Sequence, residues 1–147
     1  MKTTRFRLLF VEDQLIEEPY LALPFRNRGF AVDCATTGLE AYEKIKSVRY
    51  DAIVLDNMLP GGGENGSEWS FEKTGSCLRT GLILLRKLAE LGSPPLVWVL
   101  TGLPDTNMER EEKSFEFVVE HIKKDYSLFR LANQIYEVLE AREVTSQ

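Results

Sequence analysis

Runs of positive charge are missing from this chain. No stretch of Lys or Arg exceeds two residues among the 147, and the formal net charge is −5. A nucleic-acid partner, which calls for a basic stripe to neutralise phosphates, is therefore not expected. Cysteine is nearly absent. Of the two, Cys34 and Cys77, the first lies in the apolar segment Phe30-Ala31-Val32-Asp33-Cys34-Ala35, where the expectation is a buried free thiol. No apolar segment approaches membrane-spanning length, and since Met1-Lys2-Thr3-Thr4 leads straight into an expected strand, no secretory signal is expected. A cytoplasmic chain without membrane contact is expected, long enough for one domain with a sizeable core.

What the sequence does contain is a set of short apolar runs, each ending in a reactive group. Ala52-Ile53-Val54-Leu55 stops at Asp56 and is followed by Asn57-Met58-Leu59-Pro60-Gly61. Four apolar residues in a row, two of them β-branched, read as a strand buried on both faces. Its final carboxylate then leaves the core at the C-terminal edge, where open α/β sheets bind ligands. Arg7-Leu8-Leu9-Phe10-Val11 ends in Glu12-Asp13, so parallel neighbouring strands would bring acids together at one edge. Such an oxygen cluster suits a hard divalent cation such as Mg²⁺. A third run, Leu96-Val97-Trp98-Val99-Leu100, ends in Thr101-Gly102, a hydroxyl and a bare backbone fit for an anion such as phosphate. Lys123-Lys124, after a further apolar stretch, offers an ammonium for that anion.

Periodicity supplies the rest. A first strand is expected at about 6–11 and a second at about 30–35. The helix between them is irregular, with Pro19 at an N-terminus and Pro24 kinking or restarting it before Asn27-Arg28-Gly29 closes it. Thr37-Gly38-Leu39-Glu40 has capping-box form and opens a helix with Ala41 and Ile45 inward. Leu82, Leu85, Leu88 and Leu91 form the stripe of a third helix, stopped by Gly92 and Pro94-Pro95. Thr106-Asn107-Met108-Glu109 opens a polar helix through Lys113. Phe117–Ile122 reads as a fifth strand, although the pattern also permits a continuous helix. Ser127 caps a last helix carrying Leu128, Leu131, Ile135 and Val138. Alternating strands and helices imply right-handed crossovers, an α/β fold of three layers with a doubly wound, five-stranded parallel sheet.

The ordered set Glu12-Asp13, Asp56, Thr101 and Lys124, each at a strand end, resembles the response-regulator receiver domain of two-component signalling, from about Arg5 to about Ala141. The resemblance adds a flavodoxin-like strand order and a set of roles. Asp56 would be the nucleophile that takes a phosphoryl group from a sensor histidine kinase or phosphotransfer protein. Glu12 and Asp13 would hold Mg²⁺, with Asp56 and the Met58 main-chain carbonyl as further ligands. Lys124 would pair with the phosphoryl oxygens, and Thr101 would swing in to bond one of them, repacking the face built from the fourth helix, fifth strand and fifth helix for a downstream protein partner. The chain would catalyse only its own phosphorylation and dephosphorylation. It is expected to be a single domain over 1–147 without an output domain, and a homodimer across the last helix is possible.

Departures from the family pattern set further expectations. Asp125 follows the lysine where proline is commonest. Choosing Lys124 over Lys123 rests on Tyr126 and Leu131 falling where the family keeps an aromatic and a leucine. His121 then replaces an aromatic residue and reads as a partly exposed strand residue. Met58 and Leu103 are apolar beside the path of attacking water, which implies slow self-dephosphorylation. The connection at about 61–79 is far longer than the family norm. Trp69 and Phe71 are its apolar anchors, and the segment is either a lid over the acids or an elaboration packed on the third helix. Two other classes remain. A phosphatase of the dehalogenase type would need an Asp two residues after Asp56, where Met58 stands. A pseudo-receiver would bind a partner without phosphorylation, against which Asp13, Asp56 and Lys124 argue.

Overall fold

The computed structural model describes residues 5–75, 79–102 and 106–145, without the side chains of 106–109 and 145. Five strands form the frame: β1 (Arg7–Val11), β2 (Ala31–Ala35), β3 (Ala52–Asp56), β4 (Leu96–Thr101) and β5 (Val118–Lys123). They pair in parallel in the order β2-β1-β3-β4-β5. This is the doubly wound, flavodoxin-like arrangement, and β3 at its centre is buried at every position. The helices are α1 (Leu23–Arg28), α2 (Gly38–Ser47), α3 (Thr80–Ala89), α4 (Thr106–Lys113) and α5 (Leu128–Thr145). Among the described residues no helix is long and apolar enough to cross a membrane.

Alternation along the strands explains why the runs are apolar throughout. Leu8, Phe10, Val54 and Trp98 point to one face, where Phe25 of α1 and Leu131 and Ile135 of α5 close a core. Leu9, Val11, Ile53, Leu55, Val97 and Val99 point to the other, against Ala41 of α2 and Leu84, Leu85 and Leu88 of α3. Each large side chain so buried contributes roughly 1.5–3 kcal/mol. With both faces covered, only the strand ends are open for chemistry.

The irregular first connection becomes two 3-10 turns, Asp13–Ile16 and Pro19–Ala22, followed by α1. Pro19 and Pro24 each stand in the first turn of a segment, so Pro24 restarts the helix. Gly29, in the left-handed conformation, closes α1. At α2 the cap is split. Thr37 Oγ1 accepts the Glu40 N–H at 3.1 Å, but the Glu40 carboxylate accepts from the Thr36 N–H at 2.6 Å, one residue earlier than a capping box requires. Ser127 caps α5 as expected, its hydroxyl accepting from the Arg130 N–H at 3.3 Å.

Other readings need adjustment. Helix α3 ends at Ala89, and its last turn tightens so that the Leu91 N–H bonds the Leu88 carbonyl; this rotates Leu91 off the stripe, leaving it 39% exposed, with Leu84 inside instead. Cys34 is only half-buried, because β2 is an edge strand. His121 is a half-buried residue of β5 as read, but its side chain is turned in, since α4 lays Glu112 over β5 and their side chains bond at 3.1 Å. Cys77 and Leu103 lie outside the described residues.

The long connection after β3 is a folded body. Trp69 is 3% exposed and packs on Tyr42 of α2, ring centroids 5.9 Å apart. Gly38 makes room for it, because a Cβ there would meet the Trp69 ring at 2.7 Å. Gly62, at φ +81°, passes over Thr37 where a Cβ would clash at 2.7 Å. Phe71 is not an anchor; it is 68% exposed, whereas Trp69 takes the place beside Gly38 and Tyr42. The aromatic that does anchor the segment therefore sits on the α2 and α3 side.

Candidate functional site

The parallel register carries the ends of β1, β3 and β4 to one edge, and the acids follow. Glu12 leaves β1 with its N–H bonded to the Ala35 carbonyl at 2.9 Å, and Asp56 is the final residue of β3. One carboxylate oxygen each from Glu12, Asp13 and Asp56 lies within 4.8 Å of the others. Asp56 is fully buried and Glu12 is 3% exposed, while Asp13 is half-buried.

Both oxygens of Asp56 are engaged. Oδ1 accepts the Met58 N–H at 2.9 Å, an Asx turn closed by the residue's own loop. Oδ2 accepts from Lys124 Nζ at 2.7 Å, and the same ammonium stands 3.6 Å from Glu12 Oε1. Of the two adjacent lysines, the structure brings Lys124 to the acids and leaves Lys123 exposed opposite Thr101 in the sheet. The Lys124 N–H bonds the Thr101 carbonyl at 3.1 Å, so the two strand ends are fixed to each other by main chain. Thr101 itself is half-buried. Gly102 lies against the Lys124 stem, where a Cβ would stand at an ordinary 3.4 Å; glycine is not demanded at that point.

The charges respond to this crowding. Burial first, then the hydrogen bond to Asp56 and the nearby charges of Asp56 and Asp13, push the Glu12 carboxyl up to about 9, against the pull of Lys124. Glu12 therefore holds its proton more tightly than an ordinary carboxyl, with Lys124 3.6 Å away opposing this. Burial works against the Lys124 ammonium, yet the bond to Asp56 and the charges of Asp56, Glu12 and Asp13 hold its pKa above the ordinary value. Glu12 Oε2 is buried without a hydrogen-bond partner. An acceptor of that kind, beside two more carboxylates, fits a hard cation that binds through oxygen.

Two features were not foreseen from the sequence. The N–H of Met58, not only its carbonyl, faces the acid; the signal available was an Asp two residues before it. Asn57 is 5% exposed with its Oδ1 unpartnered, and its N–H bonds the Leu100 carbonyl at 3.2 Å, tying β3 to β4 beside Asp56. The arrangement offers a desolvated carboxylate, oxygen groups next to it that fit a hard cation, and an ammonium that can follow negative charge.

No family model matches the chain. Among curated proteins, the transcriptional regulatory protein CutR of Streptomyces coelicolor is 33% identical over 101 residues, 69% of this chain and 39% of that protein. The transcriptional regulatory protein QseB of Escherichia coli O157:H7 is 27% identical over 129 residues, 88% of this chain and 51% of its own. The chain thus spans about half the length, or less, of these curated relatives. A solved structure, a CheY-like response regulator receiver domain protein from Methanospirillum hungatei JF-1, superposes with a TM-score of 0.74 at 21% identity, covering 95% of this chain and 98% of that one. At that identity the likeness is one of fold.

Proposed function

Since the chain belongs to the receiver-domain family of response regulators, we propose that it is a phosphorylatable signalling switch with Asp56 as phosphoacceptor. The observation that carries this reading is the buried Asp56, held by Lys124 on one oxygen and the Met58 N–H on the other, inside a cluster with Glu12 and Asp13. A carboxylate oxygen attacks phosphorus in a donor phosphohistidine. The new bond is Asp56 O–P, the P–N bond breaks, and its electron pair returns to the imidazole nitrogen. The donor is a sensor histidine kinase or a phosphotransfer protein, which implies a cytoplasmic setting.

Glu12, Asp13, Asp56 and the Met58 carbonyl are the groups that would hold Mg²⁺. When bound, the ion neutralises repulsion between the incoming phosphoryl oxygens and the carboxylates. The chain's own residues do the remainder. Lys124 transfers its ammonium from Asp56 Oδ2 to a phosphoryl oxygen, and the Thr101 hydroxyl bonds another. Because Lys124 directly follows β5 and Thr101 precedes α4, that exchange biases the face of α4, β5 and α5 toward a downstream protein. The chain turns over only its own phosphoryl group.

Intact-protein mass spectrometry after incubation with Mg²⁺ and acetyl phosphate tests this. Expected is a gain of one phosphoryl group that is lost in Asp56→Asn and without Mg²⁺. A folded protein that gains no mass sinks the reading.

A further inference from the structure

The segment that leaves β3 is bonded at one end to Asp56 and at the other to α2. Oδ1 of Asp56 holds the Met58 N–H at 2.9 Å. Two and three residues later the carbonyls of Pro60 and Gly61 accept the N–H groups of Gly38, at 2.9 Å, and Leu39, at 2.8 Å. These are the first two residues of α2, and their N–H groups have no acceptor inside the helix. The start of α2 therefore depends on where residues 60–61 stand.

The remainder of the segment keeps those carbonyls in place. The Gly63 N–H bonds the Trp69 carbonyl at 2.9 Å, and the Trp69 ring is wedged between Gly38 and Tyr42. Glu68 reaches Lys87 of α3 at 2.9 Å. Ser70 and Thr74 are buried, and the Thr74 N–H and hydroxyl both bond the Ser70 carbonyl at 2.9 Å. A segment built this way transmits displacement instead of absorbing it.

We propose that residues 58–75 act as a strut that carries the state of Asp56 to the start of α2, giving the molecule a responsive α2–α3 face. This rests on the reading of Asp56 as phosphoacceptor. Phosphorus on Oδ1 turns that atom into the bridging oxygen of a mixed anhydride, a poor acceptor, and the Met58 N–H must turn to phosphoryl oxygens further out. Phosphorus on Oδ2 displaces Lys124 and leaves Oδ1 a neutral carbonyl in place of half a carboxylate. Either way the bond to Met58 loses its charge assistance. Met58–Gly61 then shifts as a unit, because the Pro60 ring fixes φ and both carbonyls that follow are committed to α2.

Hydrogen exchange read by mass spectrometry tests the strut, with the intact mass of the same sample giving the phosphorylated fraction. Three samples are needed: the chain alone, the chain with Mg²⁺ and acetyl phosphate, and Asp56→Ala, which removes the acceptor outright. The expected result is a change of about threefold or more in exchange over 36–42 on phosphorylation, and faster exchange there in Asp56→Ala, with 23–28 in α1 unchanged. Gained mass with unaltered exchange over 36–42 overturns the strut and leaves the phosphoacceptor intact. If no mass is gained, the phosphoacceptor fails instead, and Asp56→Ala decides the strut: unaltered exchange there overturns it.

Discussion

Strand β5 and the residue after it carry two basic side chains, three residues apart, to two buried carboxylates, and the two pairs differ in every respect that matters. Lys124 meets Asp56 at 2.7 Å with its side chain 33% exposed, so one end of that pair opens to solvent. His121 meets Glu112 at 3.1 Å with side chains 6% and 0% exposed, and both His121 Nδ1 and Glu112 Oε2 lack partners. The first pair has two further acids around it and the second has none among the described residues. A buried acid–base contact is thus not a site by itself. It becomes one when a charge can enter, be neutralised and leave.

The largest expected effect separates the pairs outright. Asp56→Asn should abolish phosphoryl uptake in the mass assay, whereas Glu112→Ala should leave uptake in place and lower stability by about 3–5 kcal/mol in urea unfolding, since it strands a buried imidazole. Replacing both, as Glu112→Leu with His121→Leu, should recover most of that loss; a double variant as unstable as the single would mean the pair is not acting as a pair. Next in size, Trp69→Ala should cost about 3–5 kcal/mol as a core truncation, while Phe71→Ala changes stability by less than about 0.5 kcal/mol. Equal costs would place the wrong aromatic in the core.

Proton dependence sharpens the contrast further. Glu12, raised by burial from 4.5 to about 9, must shed its proton to take a cation. Mg²⁺ affinity should climb between pH 6 and pH 8, approaching tenfold per unit. Without the cation the sign reverses. Stability from this group is full below its ordinary value of 4.5 and is lost as pH climbs through about 9. Glu12→Gln should flatten both dependences, by calorimetric titration and thermal melts; a Mg²⁺ affinity that still climbs in the variant points to another group. The smallest effect is kinetic. A polar residue at Met58 should speed loss of the phosphoryl group a few-fold, by helping to orient water, as followed by intact mass over time.

The sheet was legible because β1, β3 and β4 are buried on both faces, so apolar runs and their terminal polar residues fall together in sequence. Lys124 could be separated from Lys123 only through Tyr126 and Leu131; in the fold it is Lys124 whose ammonium stands 2.7 Å from Asp56. What sequence could not convey was partnership across elements. His121 reads as a partly exposed strand residue, and nothing in the pattern shows that α4 supplies Glu112 to its ring. Leu91 fits the helical stripe by count, and only the tightened turn at Leu88 moves it out. In the connection after β3, Trp69 and Phe71 are equivalent by composition; the slot beside Gly38 and Tyr42, made by residues some thirty positions earlier, chooses between them.

The chain has two tryptophans, and the sheet stands between them. Trp98 reports from the core under α1 and α5, and Trp69 from the core under α2 and α3. Each layer therefore carries its own intrinsic fluorophore, and a pair of Trp→Phe variants turns one denaturation curve into two. Coincident curves would describe a molecule whose halves come apart together. Separated ones would say which layer lets go first, without a label on either.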